Sequence, residues 1–135
     1  MRPQLGMSLA MIFERFSCKP IPNPSATRIA GELARVRMAF ATLTADSGAY
    51  LQVGGGPGLF VLEYRDQDGQ QWRASQQPPR VPFPDGTVLS FAGSEIRMAQ
   101  EEWFVRDQVT EIFATFLANA ETPTGIKWRR LDYVA

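Results

Sequence analysis

The strongest strand pattern in the chain lies at Leu59–Arg65 (LFVLEYR), whose alternate positions put Phe60, Leu62 and Tyr64 on one face and Leu59, Val61 and Glu63 on the other. A side-chain period of two predicts a β-strand. Asp66-Gln67-Asp68-Gly69 then supplies hairpin chemistry, and Gln71 to Ser75 (QWRAS) reads as the returning partner. Upstream, Phe40 to Thr44 and Tyr50 to Val53 read as two more strands joined by the turn residues Asp46-Ser47-Gly48. Downstream, Asp85-Gly86 turns into a strand at Thr87 to Phe91, extended or followed by Glu95 to Met98.

The period changes twice. Ile29, Leu33 and Val36 fall at helical spacing after Asn23 or Ser25 as N-cap, which predicts a short amphipathic helix. From Val105, the residues Val109, Ile112, Phe113, Phe116 and Leu117 form a longer helical stripe, stopped by Asn119 and Pro123. Asp107 near its start complements the helix dipole. Ile126 to Tyr133 (IKWRRLDY) reads as a closing strand carrying Trp128. Gln76 to Pro84, with four prolines, is a loop or linker.

The predicted fold is α+β: an antiparallel β-sheet meander with two helices packed on one face and a closing C-terminal strand. The 135 residues suit one domain. The apolar stretch from Met7 to Phe13 is interrupted by Glu14 and Arg15 with no small-residue cleavage site, so it reads as a strand or helix start rather than a secretion signal. No apolar run approaches the roughly 20 residues of a membrane helix. The lone Cys18 allows no internal disulfide, which fits a reducing, cytoplasmic compartment.

Charge adds one asymmetry to a chain of zero formal net charge. From Asp46 to Glu111 there are ten acidic residues against five arginines, so the middle is net −5 and the flanks together +5. A concentrated basic surface is what phosphate backbones require, so direct nucleic-acid binding is not expected. An acidic middle suits a cationic protein partner, or simply a solvated face.

Candidate chemistry is sparse. The sequence has no histidine, which removes the commonest general base and metal ligand and every Ser-His triad. One cysteine cannot build a zinc site, and Cys18 has no imidazole to activate it. Gly54-Gly55-Gly56-Pro57-Gly58 precedes a strand rather than the helix a phosphate cradle needs, so it reads as a flexible hairpin connection. Neither cofactor nor metal is expected, and the chain is not expected to be an enzyme. Trp103, beside Glu101 and Glu102, reads equally as core or as an interface anchor.

From LFVLEYR through the helix VRDQVTEIFATFL, with Phe113 and Phe116, to the closing IKWRRL with Trp128, the chain resembles the bacterial polymorphic-toxin immunity proteins of immunity protein family one. The resemblance spans roughly residues 43 to 131 and rests on a diffuse pattern of strands, helix and tryptophan. It implies an α+β protein that binds a cognate toxin, encoded by a neighbouring gene and of the deaminase superfamily, and covers its active site. With the acidic bias, it implies that Glu63, Asp66, Asp68, Glu95, Glu101, Glu102, Trp103 and Asp107 contact the toxin, while Trp128, Phe113 and Phe116 are structural. The competing readings are a small-ligand-binding α+β domain or a carboxylate-dependent enzyme with a pocket between sheet and helices, and a secretion-system adaptor.

Overall fold

The computed structural model of the chain describes residues 10–122 and 125–132. Along them run β1 (Met11–Arg15), β2 (Ile21–Pro22), α1 (Ala26–Leu33), β3 (Ala39–Ala45), β4 (Tyr50–Gly55), β5 (Leu59–Arg65) and β6 (Gln71–Ser75). Then come β7 (Thr87–Phe91), β8 (Ser94–Met98), a 3-10 turn (Gln100–Glu102), β9 (Phe104–Val105), α2 (Arg106–Asn119) and β10 (Lys127–Leu131). Of the earlier expectations, the Met7–Ala10 part of the apolar start lies largely outside the described residues, as do Pro123 and Tyr133.

The main sheet has the order β10-β6-β5-β4-β3-β1-β2, with antiparallel neighbours throughout. Strands β3 to β6 form the expected meander, and β10 closes it beside β6. The start of the chain resolves as strand: β1 adds to the sheet beside β3. Strand β9 pairs Phe60 and Leu59 along the same edge of β5 that β6 occupies further on.

Both helices cover one face. Alternation delivers Leu43, Leu51, Val53, Phe60 and Leu62 to that face, where Ile29 and Leu33 of α1 and Val109, Phe113 and Phe116 of α2 meet them. Phe113 lies edge-on to Phe13 of β1 at a centroid distance of 6.4 Å. The Ser25 hydroxyl starts α1 by accepting the Arg28 N–H at 3.0 Å, the expected N-cap contact. Glu32, on the same helix, is buried and accepts from Arg15 Nε at 2.7 Å and Arg28 Nε at 3.1 Å, which ties α1 to β1. The Arg15 hydrogen bond holds its carboxyl below the ordinary value of 4.5, against the opposing push of burial. Helix α2 opens with the Gln108 side chain accepting the Val105 N–H at 3.1 Å. It ends where Ala120 turns left-handed at φ +57°.

The opposite face carries an element that the expected meander does not include. Strands β7 and β8 form a separate two-stranded ribbon laid over that face. The outer edge of β6 is taken by β10, and the proline-rich stretch before β7, poor in N–H donors, leads the chain away from the sheet instead of extending the meander. Phe91, Met98 and Trp103 there close a second apolar core with Val61, flanked by Phe40, Leu59, Val81, Phe83, Leu89 and Ile96. The first half of β5 is therefore sandwiched, which explains its unbroken Leu59-Phe60-Val61-Leu62 run.

The glycine run is correspondingly tight rather than a flexible connection. Gly54 and Gly55 belong to β4. A Cβ on Gly54 would lie 2.2 Å from Cζ of Phe91, and one on Gly56 (φ +87°) 2.1 Å from the Val36 carbonyl oxygen. Gly54→Ala should therefore push the Phe91 ring off its seat. Amide exchange should accelerate in residues 87–98, while Leu51, Phe60 and Leu62 keep their protection. Uniform acceleration across both regions would show that the ribbon is not an independent layer.

Candidate functional site

Of the eight residues expected at an interface, Glu102 and Trp103 are buried and the half-buried Glu63 is committed to an internal ion pair. On the ribbon side of the sheet, register sets Glu63 beside Arg73 and Arg73 beside Arg129 across β5, β6 and β10. Arg73 donates to Glu63 Oε2 from Nε at 2.9 Å and from Nη2 at 2.8 Å. From above, the 3-10 turn lowers Glu102, 2% exposed, onto this row. Its Oε2 accepts from Arg129 Nε at 3.1 Å and Nη2 at 2.9 Å. Its Oε1 accepts the Ala99 N–H at 3.0 Å and lies 3.7 Å from Arg73 Nη1. Two carboxylates and two guanidiniums thus neutralise one another, and Glu63 and Glu102 present little charge to a partner.

Trp103 is corrected from candidate anchor to core. It is 3% exposed and meets Phe83 edge-on at 5.1 Å, so the proline-rich loop is pinned over it. Its indole Nε1 finds no acceptor among the described residues. Gln76, at the end of β6, donates to the Trp103 carbonyl at 2.7 Å and pairs with the Gln108 amide, which locks β6, the turn and α2 together.

The remaining acids stay accessible but do not form one patch. Asp68, Glu95 and Asp107 are exposed, and Asp66 and Glu101 are half-buried. Asp66 Oδ1 accepts the turn N–H groups of Asp68 at 2.9 Å and Gln70 at 3.0 Å, while Glu101 shares a hydrogen bond with the Gln77 amide. Asp66 and Asp68 follow the last residue of β5, whereas β9, which leads into Asp107, pairs with its first two. At about 3.3 Å per residue, the length of β5 separates these groups by roughly 20 Å. Glu95 and Glu101, with exposed Asp85, belong to the ribbon and its exit. Asp66 and Asp68 on one side and Asp107 on the other therefore lie at opposite ends of β5, whereas Glu63 and Glu102 meet at the shared Arg73.

Phe113 and Phe116 are fully buried, as expected of structural residues. Trp128 sits at the rim of the core rather than inside it, half-buried. It meets Tyr64 edge-on at 6.0 Å, and Tyr64 in turn meets Phe116 at 6.1 Å. Tyr64 pairs with Trp72 across the β5–β6 hairpin. These rings open on a cavity of about 320 Å³ lined by Tyr64, Asp66, Trp72, Thr122 and Trp128. Burial, reinforced by the Asp66 carboxylate, pushes the Tyr64 phenol above its ordinary value. Sequence reasoning missed this cluster. Its signal was present, since a turn at Asp66–Gly69 forces Tyr64 opposite Trp72.

Among the described residues, no group of three or more His, Cys, Asp or Glu side chains is placed to hold a metal ion. None of their helices is long and apolar enough to cross a membrane. No protein-family model matches the chain, and no curated protein matches its sequence.

Proposed function

We propose that this protein is an immunity protein, which binds a cognate bacterial toxin in the cytoplasm of the producing cell and covers its active site. The toxin is proposed to be of the deaminase type, acting on nucleic acid and encoded beside this gene. What supports the reading, besides the resemblance over residues 43 to 131, is the distribution of charge left after internal pairing. Asp85, Glu95 and Asp107 are exposed and Glu101 half-exposed on the ribbon side and at the start of α2, against the exposed Arg80, Arg97 and Arg106. A groove that handles nucleic acid is basic, and exposed carboxylates of this kind steer association with it and select the partner. The inhibition needs no catalytic group in this chain. Contact by rigid strands and a helix start is enough to exclude substrate.

Co-expression with the product of the adjacent gene tests the reading. That product alone should arrest growth or raise the mutation rate, and this chain should restore the wild-type level. Failure to rescue a demonstrably toxic neighbour would overturn it. The interface itself is tested by charge reversal at Glu95, Glu101 and Asp107 together. The association rate should fall about tenfold or more at low salt, with the difference shrinking as salt rises and the melting temperature unchanged. Reversal of Asp46 and Asp68, at the other end of the sheet, should leave the rate nearly unaltered. The opposite ranking would move the contact surface to the turns after β3 and β5.

A further inference from the structure

The cavity at the rim of the helix-covered face has a composition that generic packing does not call for. Its lining holds three of the electron-rich aromatic rings in the chain, Tyr64, Trp72 and Trp128, and one carboxylate, Asp66. Three adjacent strands supply the rings: Tyr64 from β5, Trp72 opposite it on β6, and Trp128 on β10, paired to Ala74. Tyr64 and Trp128 stand at 62° to each other, so their faces form two walls of a corner rather than a closed stack. Phe116 supports Tyr64 edge-on from behind. Asp66 is held in place by its turn, because Oδ1 accepts two backbone N–H groups.

Aromatic faces carry negative quadrupole potential, and an aromatic corner backed by a carboxylate is complementary to a cation with an apolar surface. We propose that Tyr64, Trp72, Trp128 and Asp66 form a binding site for an organic cation, an alkylammonium or guanidinium group. A simple metal cation is a poor fit, since one carboxylate cannot replace its oxygen shell. The site is not reserved for the nearest basic side chain. Arg130 faces Trp72 in register, but its side chain is exposed, forms a solvent-facing ion pair with Asp132 at 3.7 Å and lines a separate recess with Gln70, Gln71 and Leu131. The volume, about 320 Å³, is at the small end of the range for ligand sites and suits a single head group. Such a group comes either from a free small molecule or from a lysine or arginine side chain. The proposal does not depend on toxin binding, and it stands or falls with the isolated protein.

The test is a titration of the full-length protein, followed by the indole N–H resonances of its three tryptophans. Choline chloride is the probe for a free cation, and a short peptide with one trimethyllysine or one arginine is the probe for a side chain. Sodium chloride at equal ionic strength is the blank, and 3,3-dimethylbutan-1-ol is the neutral isostere of choline. Trp72 and Trp128 should shift with saturable, millimolar dependence on at least one cation, whereas Trp103, in the other core, should not move. The neutral isostere should bind about tenfold more weakly or not at all. Asp66→Asn keeps the Oδ1 acceptor that holds the turn and should weaken binding several-fold. Trp72→Leu should abolish it, with Trp103 and the melting temperature as checks on the fold. Choline acting alone identifies a small-molecule source, and the peptide acting alone identifies a side chain. Equal binding of cation and isostere, a response of Trp103 alongside the others, or no saturable shift from any cation would overturn the proposal.

Discussion

Glu102→Ala should cost the fold about 3 kcal/mol, the lower end of the range for removing one partner of a buried ion pair. The carboxylate is 2% exposed and satisfies the Ala99 N–H as well as the Arg129 guanidinium. Its removal leaves the Ala99 N–H without that acceptor and strips Arg73 of one of its two carboxylates. Arg73 keeps Glu63, and Arg129 is 56% exposed and rehydrates, which is why the loss stays at the low end. For a chain of this size each kcal/mol moves the melting temperature by about 3–6 °C. A drop of roughly 10 °C or more should therefore be seen by calorimetry. The adjacent Glu101→Ala should stay within about 0.5 kcal/mol of the parent, because Glu101 is half-exposed and its side chain meets the exposed Gln77 amide rather than a buried guanidinium. Similar losses for the two variants would show that the Glu63–Arg73–Glu102–Arg129 row contributes nothing specific.

Phe113→Ala should be at least as costly, about 3–5 kcal/mol, through lost transfer energy and the cavity left behind. The ring is fully buried and joins α2 to β1 through its edge contact with Phe13. The surrounding core is drawn from β1, β3, β4, β5 and both helices, so no single flexible element is free to collapse into the gap. Against a typical total stability of about 5–15 kcal/mol, the variant should be largely unfolded at moderate denaturant. Phe113→Leu, which leaves a smaller void, should recover most of the loss. A midpoint for Phe113→Ala within experimental error of the parent would mean that the helix-facing core is not the main source of stability.

These two residues differ in how far sequence reveals them. Phe113 belongs to a stripe with Val109, Ile112 and Phe116, and that spacing alone places it on the buried face of a helix. Glu102 is preceded by another glutamate, and no local pattern separates the two. Its partner Arg129 is 27 residues away, brought close only when β10 joins β6. Trp103 was ambiguous for the same reason. Its burial depends on Phe83 of the proline-rich loop and on Val61 of β5, neither of which shares its element. The second core was half legible, because Leu59 to Leu62 is apolar without a break. What covers the extra face was not legible. Of the residues expected at an interface, Glu102 and Trp103 are buried, Glu63 is half-buried and paired with Arg73, and Asp66 gains a different setting beside three aromatic rings.

The sequence by itself determined the kind, order and inward faces of the longer elements from β3 to β8 and of both helices, since backbone geometry imposes periods of 2 and 3.6 on any buried face. It left the start of the chain open and did not show β2 or β9. It also bounded the chemistry, because a chain without histidine builds no imidazole-activated nucleophile whatever its fold. Only the tertiary structure decided that β7 and β8 leave the main sheet to build a second core. Only it divided the acidic residues into those neutralised within the protein and those facing solvent. Local periodicity reports which way a side chain points, whereas charge pairing and burial depend on which distant element arrives opposite it.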